Sequence, residues 1–287
     1  FASIDAKGQT EVDERASIRF DQGLGFHAPD TTFGVNLRFR MQNRVGLSTY
    51  SEKDLEIEEV EARIRRLRLR LDGYTKNQKL TYYLQLSFSR SDQDWDNSGV
   101  PNVIRDAMVY YNYSNNFYIG FGQGKLPGNR QRIISSGEQQ FTDRSIVNGI
   151  FNIDRDFGVM LYYSNSLGFL DYNLKSAISS GEGRNALASD NGLAYTGRVE
   201  LMPFGKFTNN GDFSEGDQVH ETSPKLSLAG GYSYNHKAQR AAGQRGSFLW
   251  EARDLELFFL DAMFKYQGWA IYSEYMNRHT FNPITLA

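Results

Sequence analysis

Apolar and polar residues alternate one for one over long stretches of this sequence, and no stretch keeps up a helical period. Phe33, Val35, Leu37, Phe39 and Met41 are apolar, while Asn36, Arg38, Arg40 and Gln42 fall between them. Successive side chains of a strand point to opposite faces, so such a segment is a strand with one oily and one wet side. The pattern returns in Leu80, Tyr82, Leu84, Leu86 and Phe88, in Phe157, Val159, Leu161 and Tyr163, and in Leu226, Leu228, Gly230, Tyr232 and Tyr234. About eleven segments follow the rule, centred near residues 40, 66, 85, 109, 120, 160, 174, 198, 231, 261 and 273.

The links between these segments alternate in length. Short links fall at 72–78, 113–116, 165–168 and 267–268, and long polar ones at 50–59, 91–102, 125–152, 179–192 and 236–254. Tight turns at one rim and long loops at the other predict an all-β, antiparallel, up-and-down transmembrane barrel. The link 203–224 breaks the rule, since it holds a turn position yet is long and rich in Gly, Asn and Asp. A β-sandwich or lipocalin-like barrel is the soluble alternative, but the strands are too many and too long for a small sandwich. Tyrosine and phenylalanine also gather at strand ends, as in Tyr110, Tyr111 and Tyr113, Phe117 and Tyr118, Tyr162 and Tyr163, and Tyr272 with Tyr275. An interfacial aromatic girdle belongs there.

Composition narrows the function classes. Mean hydropathy is −0.55 and no apolar run approaches the roughly 18–20 residues of a spanning helix. That leaves an outer-membrane barrel open, because its lipid-facing residues alternate with lumenal ones. The absence of cysteine removes disulfides, thiolate metal sites and cysteine nucleophiles. His27, His220, His236 and His279 lie far apart, so no metal, no cofactor and no enzymatic activity are expected. A net charge of −2 argues against nucleic acid as a partner.

The sharpest local signal is the run from Val60 to Leu71, which contains Arg63, Arg65, Arg66, Arg68 and Arg70. Its apolar residues sit at even positions up to Ile64 and at odd positions from Leu67, so the phase slips at the Arg65–Arg66 pair. A β-bulge there would absorb one residue and point both guanidinium groups inward, with Arg68 and Arg70 on the same side. Without it an arginine would face lipid, at about 2–4 kcal/mol near the midplane. Arg38, Arg40 and Arg44 occupy the wet face of the preceding segment, so the two strands line one wall with arginine. Guanidinium is permanently charged and its planar fork matches carboxylate or phosphate, so the wall suits small anions. The plainer alternative is a wall neutralised from within by Asp106, Asp156, Asp171 and Glu200.

The long link after Lys125 mixes bases with Ile133, Ile134, Phe141, Ile146, Val147 and Ile150. Apolar residues of this number do not suit a loop waving in water. It is expected to fold into the barrel as a constriction loop over 125–152, bringing Lys125, Arg130 and Arg132 to face the arginine wall; the alternative is an external loop packed on its neighbours or at a subunit contact. The segment from Gly120 to Lys125 has the wrong spacing for a phosphate loop, with no Ser or Thr after the lysine. Asp92, Asp94 and Asp96, and more loosely Asn210, Asp212, Glu215 and Asp217, alternate as calcium ligands do, but solvated loop acids explain them as well.

The order of these features resembles the phosphate-selective porins, the porin O and P group. The likeness runs through 33–42, the Arg65–Arg66 pair, 80–90, 106–111 and Phe121-Gly122 with the loop beyond, then more weakly through 195–204. It implies a sixteen-stranded, usually trimeric outer-membrane barrel with an arginine ladder and a lysine-containing binding zone. By the same resemblance Arg65 and Arg66 match the paired central arginines, Arg40 a ladder arginine, and Arg132 or Arg130 the base on the constriction loop. Two departures bear on substrate: Arg68 stands where an aromatic or apolar residue is common, and Asp106, beside Arg105, only loosely matches the acidic neighbour. Of later lumenal bases only Arg198 and Lys225 are clear. The resulting expectation is residues 1–30 as a periplasmic N-terminal segment and 31–287 as a barrel incomplete at its C-terminus, in the outer membrane of a Gram-negative bacterium. It would form a passive channel for small anions, phosphate-like solutes favoured, with outer-membrane lipid, such anions and a homotrimer as partners. The anion-binding, pore-lining residues expected are Arg38, Arg40, Arg44, Arg65, Arg66, Arg68, Arg70, Asp106, Lys125, Arg130 and Arg132. The alternative is a non-conducting barrel that serves as scaffold or partner subunit of an envelope complex.

Overall fold

The computed structural model describes residues 17–20, 23–30, 32–76, 78–89, 94–95, 101–186 and 192–284. Two short strands, β1 (Ser17–Arg19) and β2 (Leu24–His27), lead into β3 (Phe33–Thr49), β4 (Ile57–Thr75) and β5 (Leu80–Ser87). A small hairpin of β6 (Asp94–Trp95) and β7 (Pro101–Asn102) stands apart, and then follow β8 (Ile104–Asn112) and β9 (Phe117–Lys125). After the long loop come β10 (Arg155–Leu167), β11 (Leu170–Ser179), β12 (Ala194–Met202), β13 (Lys225–Arg240), β14 (Phe248–Tyr266) and β15 (Trp269–His279). Except for that hairpin, each strand pairs antiparallel with the next, giving a thirteen-stranded up-and-down sheet.

All eleven expected segments fall inside strands of this sheet. The expected boundary at residue 31 does not coincide with its edge. Leu24 pairs with Leu37 and Phe26 with Val35, so the sheet begins within the segment read as periplasmic. Leu24 and Phe26 share the outward apolar face of β3, which is why so short a strand adds to it.

Burial runs opposite to that of a soluble protein. Phe39, Met41, Val45, Leu47, Phe121, Phe157, Ile178, Leu260 and Ile271 are exposed, while Arg66, Arg68, Asp106, Arg198, Glu200, Asp261 and Lys265 are buried. An apolar outside around a charged inside is the arrangement of a barrel whose outer solvent is lipid. The nineteen residues of β4 and β14 exceed the roughly 9–11 needed to cross, so these strands project beyond the membrane.

The sheet curls round its own loop. Ser136 accepts from Arg40 of β3 at 2.8 Å, and Arg130 donates to Asp261 of β14 at 2.5 Å. Nine strand steps would separate β3 from β14 by roughly 43 Å in a flat sheet. The backbone from Arg130 to Ser136, half of it in the short helix α1 (Arg130–Ile133), spans on the order of 15 Å. Only a curled sheet brings the two strands to one segment. The segment from Arg130 to Ser136 therefore bridges β3 and β14 across the inner face of the curled sheet. Leu126 and Ile153 at the two ends of the loop join Met108, Met160, Ala177, Leu257, Phe259 and Met276 of the inner wall in a buried apolar cluster. Its second helix, α2 (Ile146–Phe151), is capped by the Ser145 hydroxyl, which accepts from the Asn148 N–H at 3.1 Å.

The anomalous link 203–224 also folds inward, from the turn side. The Lys265 ammonium donates to the carbonyls of Gly211, Ser214 and Gly216 at 2.6–2.9 Å. Glu215 then meets the loop after β9: its N–H donates to the Glu138 carbonyl at 2.9 Å and its carboxylate accepts from the Gln140 N–H at 2.8 Å. Its acids therefore serve protein donors. Asp217 accepts from the N–H groups of Glu221 and Gly268. The side chains of Asp92, Asp94 and Asp96 lie outside the described residues.

Candidate functional site

The register of β3 and β4 explains how one strand turns so many arginines inward. Gln42 pairs with Arg66 and Asn43 with Ile64, leaving Arg65 as the extra residue of a bulge, at the predicted phase slip. On the far side of the bulge Ile64 again faces out, while Arg66, Arg68 and Arg70 face in beside Gln42, Arg40 and Arg38.

Between this wall and the loop lies a cavity of about 630 Å3. Arg38, Arg40, Arg65, Arg66, Arg68 and Arg70 line one side, and Lys125 and Arg132 the other, so eight of the eleven expected residues are brought together. Arg105, Arg144, Arg155, Arg184 and Arg245 join them without having been expected. In all, twelve arginines and Lys125 face three carboxylates, Glu138, Asp143 and Asp154, among the described residues lining the cavity.

The other three expected residues are placed elsewhere. Arg44 stands clear of the cavity lining, held by Glu61 at 3.0 Å and Asp143 at 2.8 Å. Asp106 is buried with its carboxylate accepting from Arg155 at 2.7 Å, and it lines a neighbouring cavity. Arg130 points away from the arginine wall, 3% exposed, with Asp261 at 2.5 Å, Ser227 at 2.7 Å and the Asp212 carbonyl at 3.2 Å. It fastens the loop to β13 and β14. The reason is local: Arg130 opens α1 on the side opposite Arg132, and a buried carboxylate awaits it across the lumen.

The arginines are fixed by hydrogen bonds to both strand and loop. The Ser136 hydroxyl accepts from Arg40 and, at 3.1 Å, from Arg68. Arg66 donates to the Gln42 side chain at 2.7 Å, and Arg38 and Arg70 share Asp72 at 2.9 and 2.8 Å. Arg70 also lies over the Tyr83 ring, 4.5 Å from its centroid. Repulsion between the neighbouring guanidinium groups of Arg65 and Arg66 is offset by the loop, where Asp143 takes up Arg65 at 2.6 Å.

Within the loop the charges set one another. Burial disfavours an ionised Asp154, but Arg132 and Arg155 outweigh it and hold its carboxyl well below the usual range. Arg132 donates to it at 2.8 Å. Burial, with Arg132, Arg66 and Arg155 close by, brings Arg144 down to about 9, which still leaves it charged at neutral pH. Of the acids expected to neutralise the lumen, Glu200 pairs with Lys175 and Arg198, both at 2.7 Å. Asp156 instead accepts from Ser180 and the Gly181 and Gly183 N–H groups.

Arg155 is one of the chamber-lining residues that periodicity concealed. It sits at the junction of loop and β10, opposite Lys125, where strand alternation has only begun. Its flanking acids, Asp154 and Asp156, were the available sign that it lies inside.

No curated protein is similar enough to this chain to count as a relative. Among solved structures, the outer membrane channel DcaP of Acinetobacter baumannii is 13% identical over 85% of this chain and 79% of its own, with a TM-score of 0.37. Outer-membrane expressed OmpT of Vibrio cholerae is 10% identical over 87% and 88%, with a TM-score of 0.32. These likenesses are too loose to carry functional detail. The family model of the phosphate-selective porins O and P, in contrast, matches residues 35–280, from β3 to the end of β15. The chain is therefore a member of the phosphate-selective porin O and P family, a porin channel of the Gram-negative outer membrane.

Proposed function

We propose that the channel passes small anions by diffusion and favours phosphate-like solutes. The observation that carries this reading is the charge of the lumenal chamber, where twelve arginines and Lys125 stand against three carboxylates among the described lining residues. A cavity lined by one sign of charge with low-dielectric walls focuses its field and raises the local concentration of counter-ions. An entering anion exchanges part of its water for guanidinium N–H donors. Several such donors in series along Arg66, Arg68 and Arg70 provide binding that is favourable at each step without a single deep trap. Phosphate suits the fork geometry of arginine better than a spherical halide does. Assembly as a homotrimer, with the outer apolar faces against lipid or a neighbouring protomer, belongs to the same reading.

The test is block of chloride current by phosphate across single channels in planar bilayers. Phosphate should reduce the current of the wild type, and Arg66→Ala with Arg68→Ala should raise the concentration needed by about tenfold or more, on the order of one charge-assisted contact. Equal block in both proteins would show that the wall is structural.

A further inference from the structure

A second cavity, of about 490 Å3, lies on the turn side of the arginine chamber and shares Tyr83, Lys125 and Arg155 with it. These three residues stand between the two cavities, but the second wall is of a different kind. Tyr110, Tyr118 and Tyr162, from β8, β9 and β10, form one aromatic cluster. Tyr118 and Tyr162 stack with centroids 4.5 Å apart at 11°, and Tyr110 meets them edge-on at 5.9 and 6.3 Å. Sheet register builds the cluster: Tyr162 pairs with Tyr118, and Tyr110 pairs with Gly120, where a Cβ would come within 2.8 Å of the Tyr110 ring.

The roof is the inward-folded link 203–224, which supplies Lys206, Phe207, Asn210 and Phe213. Its two lysine neighbours differ in engagement. Lys175 is tied to Glu200 at 2.7 Å, whereas Lys206 is exposed and has no ion-pair partner among the described residues. The Tyr110 and Tyr118 hydroxyls likewise make no hydrogen bond among the described residues.

A cavity of this size, walled by aromatic rings and lined by the bases Lys125, Arg155, Lys175 and Lys206 against the carboxylates Asp106 and Asp212, has the make-up of a site for an organic molecule. Ring faces give a bare inorganic ion little, whereas a flat ring gains contact area and edge or face geometry against the tyrosines. We propose that this cavity is a subsite for organic anions that carry an aromatic ring, the ring against Tyr110, Tyr118 and Tyr162 and the acid group on Lys206. The proposal rests on the reading of the chain as an anion channel. On it, the arginine chamber selects charge and the tyrosine chamber selects the organic part.

The experiment compares benzoate, acetate and inorganic phosphate as blockers of chloride current through the full chain in planar bilayers. Benzoate and acetate carry the same carboxylate, so their difference isolates the ring. Benzoate should half-block at a concentration about three- to tenfold below acetate, the scale of one aromatic contact. Lys206→Gln, in an exposed link residue, and separately Tyr118→Leu should each raise the benzoate concentration by a similar factor and leave phosphate block unchanged. Equal block by benzoate and acetate, or benzoate block indifferent to Lys206→Gln, overturns the subsite while phosphate block upholds the channel reading. A cation-selective channel blocked by none of the three overturns both.

Discussion

Deleting one arginine from β4 should have opposite consequences on the two sides of its bulge. Arg65 and Arg66 are adjacent and identical, so removing either gives the same protein, a strand without its bulge. Ile64 would then directly precede the inward arginine opposite Gln42, with Ile64 still outward and the regular pairing of Arg63 with Arg44 retained. What is lost is the ion pair to Asp143, whose side chain is 42% exposed, and such a pair contributes about 0–1 kcal/mol. Deleting Arg68 removes the same residue type from the regular ladder. If the bulge dissolves to absorb the gap, Arg66 turns to lipid and Leu67 to the lumen. Arg66 lies at the middle of the nineteen residues of β4, so the exchange costs about 2–4 kcal/mol. The assay is reversible urea unfolding of the barrel in lipid vesicles, with gel mobility of the unheated protein reporting folded yield. Deletion at Arg65 should stay within about 1 kcal/mol of wild type, and deletion at Arg68 should fall at least about 2 kcal/mol below it. Equal losses, or the reverse order, would refute the account of the bulge as the device that keeps the arginines inside.

Two further outcomes follow from the inward loop. Asp261→Ala should cost about 3–5 kcal/mol, because it leaves the buried guanidinium of Arg130 without its carboxylate and Arg198 with Glu200 alone, and the unanchored loop should give larger, noisier conductance steps; unaltered stability and conductance would contradict the anchor. Asp154 is held below its unfolded value, so its contribution is present above the ordinary carboxylate range and is lost only as pH falls through the lower folded value. Wild-type conductance should therefore hold its loop-in level from pH 7 to about 4.5, whereas Asp154→Asn should show the disturbed level already at about pH 7; matching pH profiles would remove the role.

Strand alternation made the sheet legible because each strand has two different solvents, and the difference is written residue by residue, as in Phe39 beside Arg40. The bulge was legible for the same reason, since Ile64 and Leu67 cannot both face lipid in an unbroken strand. The inside of the loop was less so. Arg130 and Arg132 are two residues apart, and only the folded arrangement shows that one meets Asp261 across the lumen while the other meets Asp154 and lines the chamber. Arg105, Arg144, Arg155, Arg184 and Arg245 come from loops and strand ends, where no period says which way a side chain points. The link 203–224 has no apolar rhythm of its own. It folds in because Lys265 and the loop after β9 offer partners to its backbone, a tertiary cause with no local trace.

The central claim is that the arginine chamber sets the sign of the permeant ion. The reversal potential of the channel across a bilayer with a roughly tenfold KCl gradient tests it most directly. A chamber of this charge predicts a potential of the sign that marks chloride as the preferred carrier, moving toward zero as salt is raised and the field is screened. A potential of potassium sign, or one indifferent to salt and to Arg66→Ala with Arg68→Ala, would contradict it.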